Sequence, residues 1–238
     1  LKSQFVDANV TGKYKLTQIV DAFTNSIAKY YNTTPLAAKP KTTPQKFTFD
    51  INVKDNPLLL KLIPEIKTLE PIVIKGRYNS VNDTIVINGT IPKLIYGSNT
   101  VSNAVIKVDT KDKALVYSFV VDDIQNSQFQ LPYTNLSGKI ENNTADYSLQ
   151  LKDLSNKERY LIVGNIKAKN GNNEIKLSDK LILNYDAWVM DPKNLIRIGK
   201  NGFYANAVAL SKDGNSITLQ SQSDSPNAPL ALTFKDFK

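Results

Sequence analysis

The chain has no cysteine and no histidine, and only one methionine and one tryptophan in 238 residues. Without cysteine there is no disulfide, no thiolate nucleophile and no sulfur-ligated metal centre. Without histidine, the commonest general base and transition-metal ligand is missing. Triads of the Ser-His-Asp and Cys-His types and histidine-built zinc sites are therefore excluded. Carboxylate-only chemistry such as glycoside hydrolysis survives that test. Its candidates are the pair Asp122-Asp123 and the single Asp186 and Asp191. Adjacent strand residues point to opposite faces, so Asp122 and Asp123 converge only where a bulge intervenes, and the pair reads as a strand-end turn. Walker A, Rossmann-glycine and EF-hand patterns are absent too. The residues assign no catalytic site, no metal site and no cofactor.

Long apolar runs are also missing. None approaches the roughly 18–20 residues of a membrane-spanning helix, and no charged-then-apolar leader is present. The chain starts at Leu1 and its sole methionine is Met190, so it is expected to be a piece of a longer protein or a processed chain. Lysine and arginine number 30 against 22 acids, for a net charge of +8. A basic balance can signal nucleic acid or an anionic surface. Here the lysines are scattered at alternate positions, as in Lys152, Lys167, Lys169 and Lys176, which fits the solvated face of strands and gives no nucleic-acid patch.

Period-two alternation is what the sequence does contain. Phe47, Phe49, Ile51 and Val53 alternate with polar residues; so do Ile85, Ile87 and Ile91, and Leu115, Tyr117, Phe119 and Val121. Tyr147, Leu149 and Leu151 follow. In 159–183, Tyr160, Ile162, Ile166, Ala168, Ile175, Leu177, Leu181 and Leu183 flank the turn 170–173. Ile196 and Ile198, Ile217 and Leu219, and Leu230, Leu232 and Phe234 complete the set. The separators are short Asn/Asp/Gly/Lys turns, such as Val81-Asn82-Asp83, Glu141-Asn142-Asn143-Thr144 and Lys212-Asp213-Gly214-Asn215, which favour antiparallel hairpins. The expected class is mainly β, with meander topology.

One amphipathic helix is expected over about 16–31, from Leu16, Ile19, Val20, Phe23, Ile27 and Tyr30 at spacings of three and four, with Thr17 as its N-cap. The proline-rich tract 33–45 ends it and serves as a linker. A second helical turn, Asn56 to Ile63, is closed by Pro64. The expected division is therefore a strand, helix and linker over 1–44 and a continuous antiparallel sheet over 45–238. Two packed sheets would make a sandwich, whereas one folded sheet would leave an apolar trough; periodicity alone does not choose between them.

Most aromatics fall on the apolar side of the alternation: Tyr14, Phe47, Phe49, Tyr117, Phe119, Tyr147, Tyr160 and Phe234. Tyr78 and Tyr133 read as aromatics of the polar face. Trp188, beside Val189 and Met190, reads as a buried anchor next to the turn at Asp191-Pro192.

Residues 183–237 resemble a recurrent segment of Bacteroidetes-type TamB-family proteins, with Trp188, Pro192, Asn194 and Gly202 at the places of a strand–Trp–Pro–Asn–strand–Gly–strand pattern. Residues 8–31 are similar to the family's strand–Gly–Tyr–helix unit. Residues 49–66 and 72–98 match its strand–short helix–Pro unit and the hairpins after it. The family belongs to the AsmA-like repeating-β-groove bridge proteins of diderm bacteria. The resemblance implies a long periplasmic sheet curled into a U-shaped apolar groove (a β-taco), in a parent anchored in the inner membrane and meeting an Omp85-class, TamA-like outer-membrane protein. It implies no enzymatic activity; the family roles are phospholipid transport between membranes and outer-membrane protein assembly.

On that reading phospholipid acyl chains are the cargo. The groove is expected to be lined by Tyr117, Phe119, Val121, Ile162, Ile166, Ile175, Leu177, Leu181, Leu183, Ile217, Leu219, Leu232 and Phe234. Ile19, Phe23 and Ile27 of the helix are expected to plug it. Two other readings stay open: a chaperone that holds nascent outer-membrane strands by edge augmentation, and a secreted β-sandwich binding module, which exposed polar-face aromatics would support.

Overall fold

The computed structural model describes residues 2–33, 40–200, 202–225 and 228–236. Among them, 18 strands form one antiparallel sheet that does not close into a barrel. β1 (Val6–Lys13) leads through a 3-10 turn at Leu16–Gln18 into α1 (Ile19–Tyr30). Then come β2 (Lys46–Val53), α2 (Pro57–Leu62), β3 (Ile66–Leu69) and β4 (Ile72–Asn79). Six long strands follow: β5 (Thr84–Tyr96), β6 (Asn99–Lys111), β7 (Ala114–Gln125), β8 (Gln130–Glu141), β9 (Thr144–Lys152) and β10 (Glu158–Lys169). The rest are short: β11 (Asn172–Leu177), β12 (Lys180–Leu183), β13 (Asp186–Met190), β14 (Leu195–Gly199), β15 (Gly202–Asn206), β16 (Val208–Lys212), β17 (Asn215–Ser221) and β18 (Leu230–Lys235).

The turns explain the meander. Asp112-Lys113, Asn142-Asn143, Asn170-Gly171, Asn184-Tyr185 and Asp213-Gly214 each place two successive residues at positive φ. That is the backbone of the hairpin turn whose twist matches the strands it joins. β1 pairs β2, β2 pairs β4, and from β4 to β10 each strand pairs the next. β3 is the continuation of the β4 level, pairing the far end of β5. Beyond β10 the levels split: β11 and β12 lie end to end against β10. One branch runs β11–β14–β15 and the other β12–β13–β16–β17–β18.

Asn194 explains why the split is tolerated. Its side chain is buried in the gap between β13 and β14. It accepts from Leu177 N at 2.8 Å, and its amide donates to Leu177 O at 3.0 Å and Asp191 O at 2.7 Å. A side-chain amide thus satisfies the strand-end groups that the break would orphan.

The sheet must curl strongly. From β5 to β11 there are six strand steps, roughly 29 Å along the sheet at about 4.8 Å each. Yet α1 bonds to both regions over a short span. Ser26 and Lys29 reach Asp83, in the turn before β5, at 3.0 and 2.6 Å. Asn143 N, in the β8–β9 turn, donates to Tyr30 O at 2.9 Å, and the Tyr31 hydroxyl bonds to Asn173 of β11 at 2.5 Å. Residues 26 to 31 span only about 8 Å of helix, so the hairpin ends are gathered around it.

The core sits under α1. Ala22 and Tyr30 pack on Phe47, Tyr78, Ile85 and Leu115, with Ile19, Phe23, Val10, Phe49, Ile87, Val108 and Ile140 around them. The Tyr78 ring stacks on Phe23 at 4.1 Å and its hydroxyl donates to Ala22 O at 2.6 Å. Tyr78 is therefore a core residue, not an aromatic of the polar face. Gly76 breaks the apolar alternation Ile72, Ile74, (Gly76), Tyr78 and hides its parity. Tyr133 is exposed as expected.

Several helix details differ from the sequence expectation. The N-cap of α1 is Gln18 without a capping side-chain bond, not Thr17, because the chain enters through the 3-10 turn. Gln18 bonds instead to Thr43, and Lys15 N donates to the Gln45 side chain at 2.7 Å. The linker therefore ends in a fully buried latch, Gln45; its residues 34–39 lie outside the described set. α2 falls within the expected turn 56–63, and the Asn56 side chain caps it, accepting from Leu58 N at 2.8 Å.

Candidate binding groove

In an antiparallel sheet, directly opposed residues share a face. Following the register from strand to strand gives unbroken apolar rows on the concave side. One row runs Ala8, Ile51, Ile74, Gly89, Ile106, Phe119, Leu136, Leu149 and Ile162. The next runs Val10, Phe49, Gly76, Ile87, Val108, Tyr117, Gly138, Tyr147, Gly164 and Leu177. The convex side carries polar rows such as Lys75, Asn88, Lys107, Ser118, Ser137 and Ser148.

The second row alternates aromatic rings with glycines for a physical reason. A Cβ at Gly138 would lie 1.9 Å from Asp146 O and 2.8 Å from the Tyr117 hydroxyl; one at Gly164 would lie 2.7 Å from the Tyr147 hydroxyl. The tyrosine rings lie down across the glycines, and Tyr117 donates to Asp146 O at 3.0 Å. The floor is thereby low and aromatic. Burial raises the pKa of both Tyr117 and Tyr147.

The thirteen expected lining residues all connect to this face by opposed register, but their cover differs. Tyr117, Phe119, Ile162, Ile166, Ile175, Leu177, Leu183, Ile217 and Leu219 are half-buried. Val121 and Leu181 are sealed, so they pack the wall and present no surface. Leu232 and Phe234, on β18, are 58 and 60% exposed; among the described residues, β17 alone pairs with that strand. The plug expectation divides as well. Ile19 and Phe23 pack on the core, whereas Ile27 points outward with Leu16 and Val20. The sealing face is instead Ile19, Ala22, Phe23, Ser26 and Tyr30, in which small and polar residues escaped a purely apolar reading. Trp188 is half-buried opposite Leu181, while its neighbour Met190 is the fully buried anchor.

The two ends of the strands differ. The end with turns near 83, 142 and 171 is covered by α1. At the other end the β9–β10 hairpin stops at 153–157 and, among the described residues, the β8–β9 pairing begins only at Thr134, so residues 130–132 of β8 are paired on the β7 side alone. A cavity of ≈ 690 Å³ opens there, lined by Phe129, Leu131, Leu151, Leu154 and Tyr160, with Lys152, Asp153 and Arg159 also in its wall. Arg159 lies over the Tyr160 ring at 5.4 Å. The backbone N–H of Lys157, then the Tyr185 hydroxyl, holds the Asp153 carboxylate below its usual range.

A crease crosses β5 to β8 at this end. Pro92, Asn103, Asp122 and Tyr133 skip their pairing while the register resumes unchanged. Asn103 and Tyr133 are left-handed, which reorients the strands, and the apolar parity shifts so that Leu94, Val101, Ile124 and Leu131 oppose one another. The irregularity also brings Asp122 and Asp123 to one small hollow beside Gln130, Pro132 and Tyr133. No group of three or more acidic residues able to hold a metal occurs among the described residues.

Comparison with protein-family models, curated proteins and solved structures finds no match.

Proposed function

We propose that the chain is a non-enzymatic hydrophobic conduit of the TamB type, holding phospholipid acyl chains in its concave face. The observation that carries this reading is the half-buried state of the apolar rows beyond α1. Residues such as Phe119, Leu136, Leu149 and Ile162 are neither sealed by a second sheet nor fully open, which argues against a sandwich core. An acyl chain of about 16 carbons costs on the order of 10 kcal/mol to keep in water, and a continuous apolar floor removes that cost along its length. Because successive positions are chemically alike, no one site traps the chain, and sliding follows. Periplasmic location, an inner-membrane anchor in the parent and a TamA-like Omp85 partner belong to the same proposal.

The test is photo-crosslinking. Probes at Phe119 and Ile162 are expected to capture lipid, and probes at Ser118 and Lys167 are not, with native mass spectrometry identifying the adducts. Equal labelling from both faces, or none from the concave one, overturns the conduit. A second reading rests on β18, whose six residues are all exposed and which, among the described residues, pairs with β17 alone. An edge of that kind suits addition of a client strand. Crosslinks to polypeptide from Leu232, with none to lipid from Phe119, would favour a chaperone for outer-membrane strands.

A further inference from the structure

The convex side carries a second concavity, of ≈ 650 Å³, across β1, β2, β4 and β5. Its wall holds Lys13, Lys46 and Arg77 together with Thr11, Thr48, Asn79 and Asn82, and contains no carboxylate. Lys13 stands directly opposite Lys46, and Arg77 is one pair removed, opposite Thr48. Like charges directly opposed across a sheet are unfavourable. Two nearby lysines are matched: Lys75 of β4 with Asp50 at 2.9 Å, and Lys54, just past the end of β2, with Asp7 at 2.6 Å. Among the described residues, Lys13, Lys46 and Arg77 have no acidic partner. The carboxylate of the adjoining turn, Asp83, is committed to Ser26 and Lys29 on the helix side.

We infer that this concavity binds a phosphate group. Three cations on adjacent strands leave a local charge that an anion would neutralise. The arginine fork suits the paired oxygens of a phosphate, and the two lysine stems are long enough to converge on it. The Thr11 and Thr48 hydroxyls, themselves directly opposed, supply neutral donors beside the cations. The phosphate can belong to a free small molecule or to a lipid headgroup at a membrane surface. The site lies on the face opposite the acyl floor and does not depend on that floor being occupied.

The experiment has two probes. Inorganic phosphate is titrated into the chain while backbone amide shifts are followed. Vesicles of phosphatidylcholine, with and without phosphatidylglycerol, are tested by co-sedimentation. Shifts confined to Thr11, Lys13, Lys46, Thr48 and Arg77, weakened at least tenfold in the Lys46→Ala/Arg77→Ala variant and by added salt, support the site. Retained binding in Lys46→Arg supports it further. Saturation by phosphate without sedimentation assigns a free ligand, and sedimentation only with phosphatidylglycerol, lost in the double variant, assigns a headgroup. Both substituted residues are exposed, and an unchanged melting temperature verifies the fold. If neither probe acts at these residues, or the double variant binds as the unmodified chain does, the inference fails; lipid crosslinking from Phe119 is unaffected in either case.

Discussion

The concave face has two regions built from the same residue types. Under α1, Phe47, Tyr78, Ile85 and Leu115 are buried to 8% exposure or less. Two residues further along the same strands, at and beyond the margin of that core, Phe49, Ile87 and Tyr117 are only half-buried. The strands do not change character between these points; what differs is the helix above them. Apolar alternation thus makes a face, and a separate element decides whether the face becomes core or surface. A sheet sealed at one end and only half-buried along the rest differs from the uniformly sealed core that two packed sheets would give.

Substitutions can break that comparison. The largest effect is expected from Tyr78→Ala, which opens a cavity under the helix and removes the bond to Ala22 O, at about 3–5 kcal/mol. Phe119→Ala, on the open floor, should cost about 1–2 kcal/mol because less area leaves water on folding. Equal losses in urea denaturation would mean that the floor is as sealed as the helix end. Asn194→Ala should cost about 2–3 kcal/mol by orphaning Leu177 N and O, with faster amide exchange at Leu177 as its local sign.

Alkali sharpens the comparison through its phenols. Burial raises the pKa of Tyr30, Tyr78, Tyr117 and Tyr147 above the ordinary 10.0. The folded state therefore favours the neutral form, and the unfolded chain ionises first. Stability should hold below pH 10 and fall as pH rises from there through the folded values. Tyr147→Phe should reduce that slope and leave stability at neutral pH nearly unchanged; an identical alkaline slope would contradict its burial. The smallest effect belongs to the outward side of the 3-10 turn and α1: Leu16→Ser or Val20→Ser should stay within about 0.5 kcal/mol, and a larger loss in a melting curve would show that this stripe is covered.

Much of the sheet could be read from the residues. The turns at 141–144, 170–173 and 212–215 announce themselves by Asn, Asp and Gly, and opposed register puts the thirteen positions expected to line a groove on one face of the sheet. What was illegible has specific causes. Gly76 masked the parity that makes Tyr78 a core residue. The buried stripe of α1 contains Ala22 and Ser26, which an apolar count passes over. The crease at Asn103 and Tyr133 rests on a backbone conformation that neither residue type requires. The lysines of the convex concavity are scattered in sequence, at 13, 46 and 77, and only pairing brings them together.

The sequence by itself determined that this is an amphipathic antiparallel sheet without histidine or cysteine chemistry, because side-chain period and turn residues act over two to four positions. Tertiary structure alone decided the curl, the cover and the crease. Those depend on contacts between residues as distant as Ser26 and Asp83, Tyr30 and Asn143, or Tyr31 and Asn173, and a local pattern says which way a side chain points but not what stands opposite it.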